Sequence, residues 1–543
     1  MCPYILSLLA ASFTFFAFKR MRYLLMFLQQ EHYKNMAYIR MALKGLKLID
    51  KRFSGAVILV TILCQVINLP LTVFGILISI LSLAFAFKEK NPCKEAKKPL
   101  VLTGRAKRIL SIALIWMIIF EFLGVWLICY FDSVIIAGVV IICLIQGCSD
   151  CLICSNISLK PYEWFVCNGF KQEAIAKFKK INPTTIGITG SYGKTSTKHI
   201  LGQLLSNIAS TYFTKGSINT PMGITRAIRE QMNESHKFFV TEMGVGGVNQ
   251  MEELLEVNNP DFAIITAVGS AHQEFFKTID AVAKEKFKAA KHVLEKDKGF
   301  VILNGDSIDK KYIEKYVGLE NDRVIILSAD SKKYKNAYVI SNQKQTTTGV
   351  SFTLKQGKKE YKLEVPIFGL HQAENAALAV IIALKLGVSF DTIKQELKKI
   401  PQTKHRLEVL KATNAATIID DAFNSNPIGF AAALDTLKIL KSKSGRAILV
   451  TPGMVEMGSA HEEEHKKIGK KAAECADLVL LVRPDRIPSF VKAFKANKNK
   501  NQELKTFESF AKAKEWISKN AKSSDVVLIE NDLPDSYEAV VKI

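Results

Sequence analysis

The stretch with the clearest capacity for chemistry is T-T-I-G-I-T-G-S-Y-G-K-T-S-T-K-H, at residues 184–199. Its first residues are β-branched or small and predict a buried strand, Gly190–Gly193 predicts a turn, and Lys194 begins a predicted helix. Glycines let the backbone approach an anion closely, and a helix N-terminus presents unpaired N–H groups. Lys194 can reach the β- and γ-phosphates, and Thr195 can ligate Mg²⁺. The order of these parts predicts a nucleoside triphosphate site.

The spacing is that of a short phosphate loop. The general G-x-x-x-x-G-K-[ST] pattern has its first glycine where this chain has Ile188, so the motif here is the tighter T-G-x-x-G-K-T variant. The residues predicted to contact the nucleotide in this loop are Gly190, Ser191, Gly193, Lys194, Thr195 and Ser196.

Alternating strand and helix patterns surround this loop. Strands are expected at 238–242, 262–268 and 300–303, with amphipathic helices between them, which predicts a mainly parallel sheet covered on both faces. Ligands of such sheets bind beyond the carboxyl ends of the strands. Glu242 and His272 both follow strands and are therefore candidates for this site.

A second series of strands indicates a further α/β domain of Rossmann-like type. These strands are expected at 417–420, 447–451, 478–482 and 526–529, and the join between the two series lies near residues 401–406. The predicted organisation is therefore a linker at 156–180, a central ATP-binding domain at 181–401 and a C-terminal domain at 402–543.

The first 155 residues have a different composition. Apolar runs occupy 3–18, 55–87, 109–131 and 133–149, and Asn68 and Pro70 divide the second run into two short helices. Nine Lys and Arg lie between Lys19 and Arg52 and eight between Lys88 and Arg108. Basic loops beside apolar runs explain the formal charge of +23 without nucleic acid and predict about five membrane crossings, with the first run an anchor. We expect a multi-pass protein of the bacterial inner membrane, in contact with membrane lipid, with cytoplasmic catalytic domains.

The ten cysteines are expected to be thiols. Cys148, Cys151 and Cys154 have C-x-x-C-x-x-C spacing, which is compatible with a metal or an iron–sulfur cluster. No fourth ligand follows at the ferredoxin spacing and no histidine is near in sequence, so buried apolar cysteines are the favoured interpretation.

Eight motifs in one order resemble the Mur ligase family and cover residues 181 to about 470. They are the phosphate loop, S-I-N-T-P-M-G (217–223), E-M-G (242–244), His272, Lys286, G-L-H-Q-A-E-N-A-A (369–377), H-R-L-E (405–408) and D-D-A-F-N-S-N-P (420–427). Within the family, the last of these and P-G-M-V-E-M-G (452–458) are most similar to enzymes that add D-alanyl-D-alanine to UDP-N-acetylmuramoyl-tripeptide.

The resemblance implies roles for single residues. Lys194 and Thr195 would hold the phosphates and a first Mg²⁺, with Glu242 as a further ligand of that ion. His272 would bind a second Mg²⁺ together with a carbamylated Lys286. The implied contacts of the C-terminal half and of the substrate are Asn375 to adenine, Arg406 and Asp421 to the γ-phosphate side and the ribose, and Asn219, Thr220, Asn424 and Asn426 to substrate. Lys194, His272, Lys286 and Arg406 would be the catalytic set.

The implied reaction is ATP-dependent formation of an amide bond in peptidoglycan precursor synthesis, through an acyl phosphate. Expected partners are a nucleotide-sugar peptide or a lipid-linked carboxylate, a dipeptide or amino-acid amine, and a cell-wall synthesis complex. Family members usually begin with a soluble domain that binds the UDP part, and apolar runs stand in its place here. An ATP-driven transporter or switch and a folate-polyglutamate-type ligase are alternatives, and the E-M-G, His272 and Lys286 series favours the amide ligase.

Overall fold

The computed structural model describes residues 3–43, 49–94, 98–269, 276, 278–334, 337–411, 415–422, 425–455 and 457–531. The chain has two compact units, a helical one in Met1–Cys167 and an α/β one in Asn168–Asp532. Two of the predicted site residues, His272 and Asn424, lie outside the described residues.

Long helices make up the first unit. They are α1 (Pro3–Gln30), α2 (Asn35–Leu43), α3 (Lys51–Val66), α4 (Leu71–Lys88), α5 (Gly104–Phe131) and α6 (Val134–Ser158), followed by α7 (Lys160–Ile181), which includes most of the predicted linker. The second apolar run is divided as predicted, because the turn between α3 and α4 contains Asn68 in a left-handed conformation and Pro70 as the N-cap of α4.

Four described helices, α1, α4, α5 and α6, are long and apolar enough to cross a membrane, by length and composition alone. Together with α2 and α3 they form one core, which contains large buried aromatic residues such as Phe16, Phe53 and Phe74. Cys148 and Cys151 are buried in this core, and the cysteines of the described part of the chain are free thiols. The burial agrees with the apolar interpretation of the cysteine series.

The first sheet of the α/β unit has nine strands in the order β2-β3-β1-β4-β5-β6-β7-β8-β9. The strands from β2 to β7 are parallel, and β7, β8 and β9 form an antiparallel meander at one side. The strands are β1 (Thr184–Thr189), β2 (Thr211–Phe213), β3 (Phe238–Glu242), β4 (Phe262–Ile265), β5 (Val301–Asn304), β6 (Val324–Ser328), β7 (Tyr338–Gln345), β8 (Val350–Gln356) and β9 (Lys359–Val365).

Helices cover this sheet. They are α8 (Lys194–Leu205), α9 (Pro221–Gln231), α10 (Gln250–Asn258), α11 (Ile279–Leu294), α12 (Lys310–Tyr316), α13 (His371–Lys385) and α14 (Phe390–Leu397). α8 packs on α13, and the apolar side chains of both helices join those of β1 in one core. Strand β1 is buried along nearly its whole length, as its β-branched sequence predicts, and it delivers the phosphate loop from the centre of the sheet.

The second sheet has six strands in the order β10-β11-β15-β12-β13-β14, parallel except for the β10–β11 pair. Its elements are β10 (Glu408–Leu410), β11 (Thr417–Asp421), α15 (Pro427–Leu440), β12 (Ala447–Thr451), α16 (His461–Cys475), β13 (Leu478–Val482), α17 (Pro488–Asn497), β14 (Glu503–Phe507), α18 (Phe510–Asn520) and β15 (Val526–Glu530). The prediction of a parallel-sheet central domain followed by a Rossmann-like α/β domain is confirmed.

Candidate active site

A polar cavity of about 280 Å³ lies within the α/β unit, where the carboxyl ends of strands from both sheets face each other. The phosphate loop, the end of β3 and the start of α13 line it from the first sheet, and the ends of β11 and the residues around the start of α15 line it from the second. This is the position that parallel sheets give to their ligands.

Two glycines of the phosphate loop cannot be replaced without a collision. Gly190 has φ +152°, and a Cβ there would lie 2.0 Å from Thr266 Oγ1. Gly193 has φ +82°, and a Cβ there would lie 2.2 Å from Asn375 Oδ1. The loop therefore owes its shape both to left-handed backbone at Gly193 and to neighbours that approach closer than any side chain permits.

Lys194 begins α8 directly after this turn. Its Nζ donates a hydrogen bond of 2.7 Å to the carbonyl oxygen of Gly190, so the ammonium lies across the loop. Burial lowers the pKa of Lys194, Glu242 opposes that shift and Arg406 adds to it. The lysine is thus a buried cation beside the backbone donors of a helix N-terminus, which favours an anionic ligand.

Glu242 accepts hydrogen bonds from both sides. Its Oε2 accepts from the Thr195 hydroxyl at 2.8 Å, and its Oε1 accepts from Asn219 Nδ2 at 2.9 Å. The pairing of β1 with β3 sets Glu242 beside Ile188, which explains why a strand end and a phosphate loop meet here. A hydroxyl and a carboxylate are the hard oxygen ligands that Mg²⁺ prefers, so this pair fits the predicted first ion.

Lys286 lies on α11 and is only 2% exposed. Burial lowers its pKa well below the ordinary value, the charge of Lys194 acts in the same direction and Glu285 opposes them. Its sequence neighbour Lys284 is exposed, and Lys288 forms ion pairs with Glu252 and Glu285. Lys286 is therefore a buried amine whose charged form is destabilised, whereas Lys284 is exposed to solvent and Lys288 is paired with carboxylates.

Asp421 and Glu530 form a buried carboxyl pair at the ends of β11 and β15, which place them opposite each other. Burial raises the pKa of Asp421 to about 7, although the Leu407 N–H and the Arg406 charge oppose the shift. Burial followed by the charge of Asp421 raises the pKa of Glu530 well above its usual range. Ser425 Oγ donates to Glu530 Oε1 at 2.5 Å, and the Leu407 N–H donates to Asp421 Oδ1 at 3.0 Å.

Most of the predicted residues meet in this one cavity. Those that line it are Ser191, Gly193, Lys194, Thr195, Ser196, Asn219, Glu242, Asn375, Arg406, Asp421 and Asn426. Three others do not line it: Gly190 starts the loop and lies against Thr266, Lys286 is buried on α11, and Thr220 caps α9 by accepting from the Gly223 N–H at 3.3 Å.

Sequence reasoning missed a polar group on the first sheet's side of the cavity. Asn304 ends β5 and donates a 2.6 Å hydrogen bond to Glu374, a residue of α13 that also accepts from Ser307 at 3.4 Å. All three line the cavity. Asn304 could have been predicted from the sequence, since it ends a buried strand as Glu242 does. The pairing with Glu374 needed the fold.

Comparisons with known proteins agree with this architecture. Residues 188–383 match the family model described as Mur ligase middle domain, and residues 405–530 match the one described as Mur ligase, glutamate ligase domain. Together these ranges make up more than half of the chain. The chain belongs to the Mur ligase family.

Several characterised relatives share the name UDP-N-acetylmuramoyl-tripeptide--D-alanyl-D-alanine ligase. The enzyme of Buchnera aphidicola subsp. Baizongia pistaciae is 29% identical over 289 residues, which are 53% of this chain and 60% of the relative. The Bacillus subtilis enzyme is 27% identical over 386 residues, 68% of this chain and 78% of the relative. The match to the first of these therefore spans less than two thirds of the relative's length.

Solved structures share the fold. MurF from Acinetobacter baumannii superposes with a TM-score of 0.57 at 24% identity and covers 67% of this chain and 77% of its own. MurF ligase from Thermotoga maritima in complex with ADP has a TM-score of 0.57 at 23% identity, with 67% and 80% covered.

The predicted localisation is corrected by these relatives. The named relatives and the solved structures that share this fold are ligases of the MurF type, which points against a multi-pass protein of the bacterial inner membrane. The apolar runs in the first 155 residues prompted the prediction, and apolar length and composition alone do not establish a membrane location.

Proposed function

We propose that this chain is an ATP-dependent carboxylate–amine ligase of peptidoglycan precursor synthesis that joins D-alanyl-D-alanine to UDP-N-acetylmuramoyl-tripeptide. The observation that carries the proposal is the single cavity in which the phosphate loop and Glu242 face Arg406 and Asp421 from the other sheet. The named relatives support the choice of substrates.

The reaction needs two steps. The acceptor carboxylate first attacks the γ-phosphorus of ATP, giving an acyl phosphate and ADP. The free amine then attacks the acyl carbon, and the tetrahedral intermediate expels inorganic phosphate and leaves an amide after loss of a proton. A carboxylate alone is a poor target for an amine, and its conversion to an acyl phosphate supplies the leaving group.

Residues of the first sheet hold the triphosphate in this proposal. Backbone N–H groups after Gly193 and the ammonium of Lys194 bind the phosphates, and Thr195 and Glu242 would ligate Mg²⁺. Bound Mg²⁺ neutralises charge on the phosphate oxygens during transfer. From the second sheet's side of the cavity, Arg406 would bring a positive charge to the γ-phosphate side, and Asp421 would contact the ribose.

Lys286 is proposed to be carbamylated and to act with His272 as a ligand of a second Mg²⁺. Carbamylation requires a neutral amine, which adds to CO₂ and releases a proton. The burial of Lys286 and its lowered pKa support the proposal, because both disfavour the charged form of the amine. The modification would turn a buried cation into a carboxylate-like anion, which is the charge that a metal site needs.

Mass spectrometry of the product tests the function directly. Purified full-length protein with ATP, Mg²⁺, UDP-N-acetylmuramoyl-tripeptide and D-alanyl-D-alanine should yield the UDP-linked pentapeptide, with one ADP and one phosphate per product. A parallel reaction with a lipid-linked peptide acceptor tests the alternative carboxylate. ATP turnover without an amide product from either acceptor would contradict the proposal.

A further inference from the structure

Lys198 is a buried lysine to which the proposed reaction gives no role. It lies on α8, one turn after Lys194, and its side chain is 0% exposed. It does not line the cavity. An ammonium removed from water costs several kcal/mol unless it is paired and hydrogen-bonded, so its partners indicate what it does.

Its partners belong to two other elements. The Lys198 Nζ donates a short hydrogen bond to the carbonyl oxygen of Gly216 and lies 3.8 Å from Glu242 Oε2. Gly216 lies in the segment 214–220, which joins β2 to α9, and Glu242 ends β3. One buried ammonium thus connects the helix of the phosphate loop, this segment and the carboxylate proposed to ligate Mg²⁺.

The segment 214–220 reaches the cavity through Ser217 and Asn219. Asn219 contacts the end of β3 twice, because its Nδ2 donates to Glu242 Oε1 at 2.9 Å and its carbonyl oxygen accepts from the Gly244 N–H at 2.9 Å. Gly216 itself has φ +54°, a backbone conformation that favours glycine. The segment is therefore fixed at two points. Lys198, which does not line the cavity, binds the Gly216 carbonyl, and Asn219, which does line it, binds Glu242.

We propose that Lys198 is a positioning residue that anchors the segment 214–220 against the end of β3, so that Ser217 and Asn219 face the acceptor carboxylate beside the γ-phosphate. The anchoring rests on the contacts alone. The assignment of the acceptor to this segment rests on the proposed function.

Amide hydrogen exchange tests the anchor without any substrate. In Lys198→Met, which keeps an unbranched side chain and removes the charge and the donor, the Gly244 amide should exchange at least about tenfold faster, as expected for loss of one charge-assisted hydrogen bond. The Asp261 amide, which donates to the Thr185 carbonyl in the same sheet at 2.8 Å, is the internal reference and should not change. Lys215→Met removes an exposed lysine of the same segment and should match the wild type at both amides.

Steady-state kinetics test the assignment of the acceptor. In Lys198→Met the KM for the acceptor should rise about tenfold, while the KM for ATP stays within about twofold of the wild type. A lysine that serves only the stability of the fold would not separate the two KM values. If Lys198→Met does not fold, Lys198→Gln, whose amide is one atom shorter and uncharged, is measured in its place with the same expectations.

The outcomes separate the two parts of the proposal. An unchanged exchange rate at Gly244 overturns the anchor. Faster exchange with an unchanged acceptor KM overturns the assignment of the acceptor. A wild-type protein that makes no amide product contradicts the proposed function, and the exchange measurement still decides the anchor.

Discussion

The hydroxyl of Thr195 donates a hydrogen bond of 2.8 Å to Oε2 of Glu242, although 47 positions separate the two residues. Each residue is predicted from its own local sequence as a ligand of Mg²⁺: Thr195 lies in the first turn of α8, and Glu242 ends β3. Their contact shows that the two patterns form one site, because the parallel pairing of β1 with β3 brings both to the same edge of the sheet.

Glu242→Gln should impair the response to Mg²⁺. The amide keeps nearly the same shape but loses the negative charge, so the Mg²⁺ concentration for half-maximal rate should rise at least tenfold and the maximal rate should fall on the order of 10²-fold. The measurement is the ATP-dependent rate across a Mg²⁺ titration. Glu230→Gln, on the exposed face of α9, is the matched control. An unaltered Mg²⁺ titration in Glu242→Gln would remove this carboxylate from the metal site.

Lys194→Ala should abolish phosphoryl transfer. Its ammonium lies across the phosphate loop and is proposed to contact charge that shifts during the reaction, so a loss of about 10²- to 10⁴-fold in rate is expected. The assay is release of ADP from ATP in the presence of acceptor. Lys237→Ala, an exposed lysine before β3, should react like the wild type. Normal turnover in Lys194→Ala would exclude the phosphate loop from the mechanism.

Gly193→Ala should weaken nucleotide binding. The new methyl group would lie 2.2 Å from Asn375 Oδ1, so either the loop or Asn375 must move. We expect the Kd for ADP, measured by calorimetry, to rise at least about tenfold, which corresponds to about 1.4 kcal/mol.

Gly318→Ala is the control for that change, because Gly318 has a similar φ of +75° but open space around its Cβ position. It carries the same kind of backbone strain without the collision, and should leave ADP binding unchanged. Equal binding by Gly193→Ala and the wild type would show that the approach of Asn375 does not shape the site.

Lys286→Ala should remove most ligase activity if the lysine is carbamylated, and Lys284→Ala should not, because Lys284 is exposed on the same helix. Added acetate or formate should restore part of the activity of Lys286→Ala, since a small carboxylate can replace the lost carbamate. Raised bicarbonate should increase the activity of wild-type protein prepared without CO₂. Full activity in Lys286→Ala without additives would end the metal-ligand hypothesis for this residue.

The raised pKa of Asp421 should make the free energy of unfolding fall as the pH rises. Its pKa is raised to about 7 in the folded state, so the folded state binds this proton more tightly than the unfolded state does. The resulting stabilisation is complete below about pH 4 and is lost as pH rises through about 7.

Asp421→Asn should therefore show a smaller fall in melting temperature between pH 5 and pH 8 than the wild type. Asp435→Asn, an exposed acid on α15 paired with Lys471, should keep the wild-type pH dependence. Identical pH profiles of Asp421→Asn and the wild type would show that the pKa of Asp421 is not raised in the folded protein.

The local sequence determined much of the candidate active site at the carboxyl edge of the first sheet. The β-branched run of β1, the glycines and the Lys-Thr start of α8 are consecutive, so their geometry follows from short-range backbone preferences, and Glu242 followed from the rule that parallel strands present ligands at their carboxyl ends. The meander β7–β9 was not predicted, because half-buried antiparallel strands lack the continuous apolar runs of parallel ones.

Only the tertiary structure decided which distant side chains meet. Asn375 lies against Gly193 because α13 packs on α8, and Asp421 lies opposite Glu530 because β15, the last strand in sequence, pairs directly with β11. Lys284 and Lys286 lie two positions apart on one lysine-rich helix, and only the packing of the neighbouring elements leaves the first exposed and the second buried. Residue type and spacing therefore define what each group can do chemically, while long-range strand pairing and helix packing set its partners, its charge state and hence its role.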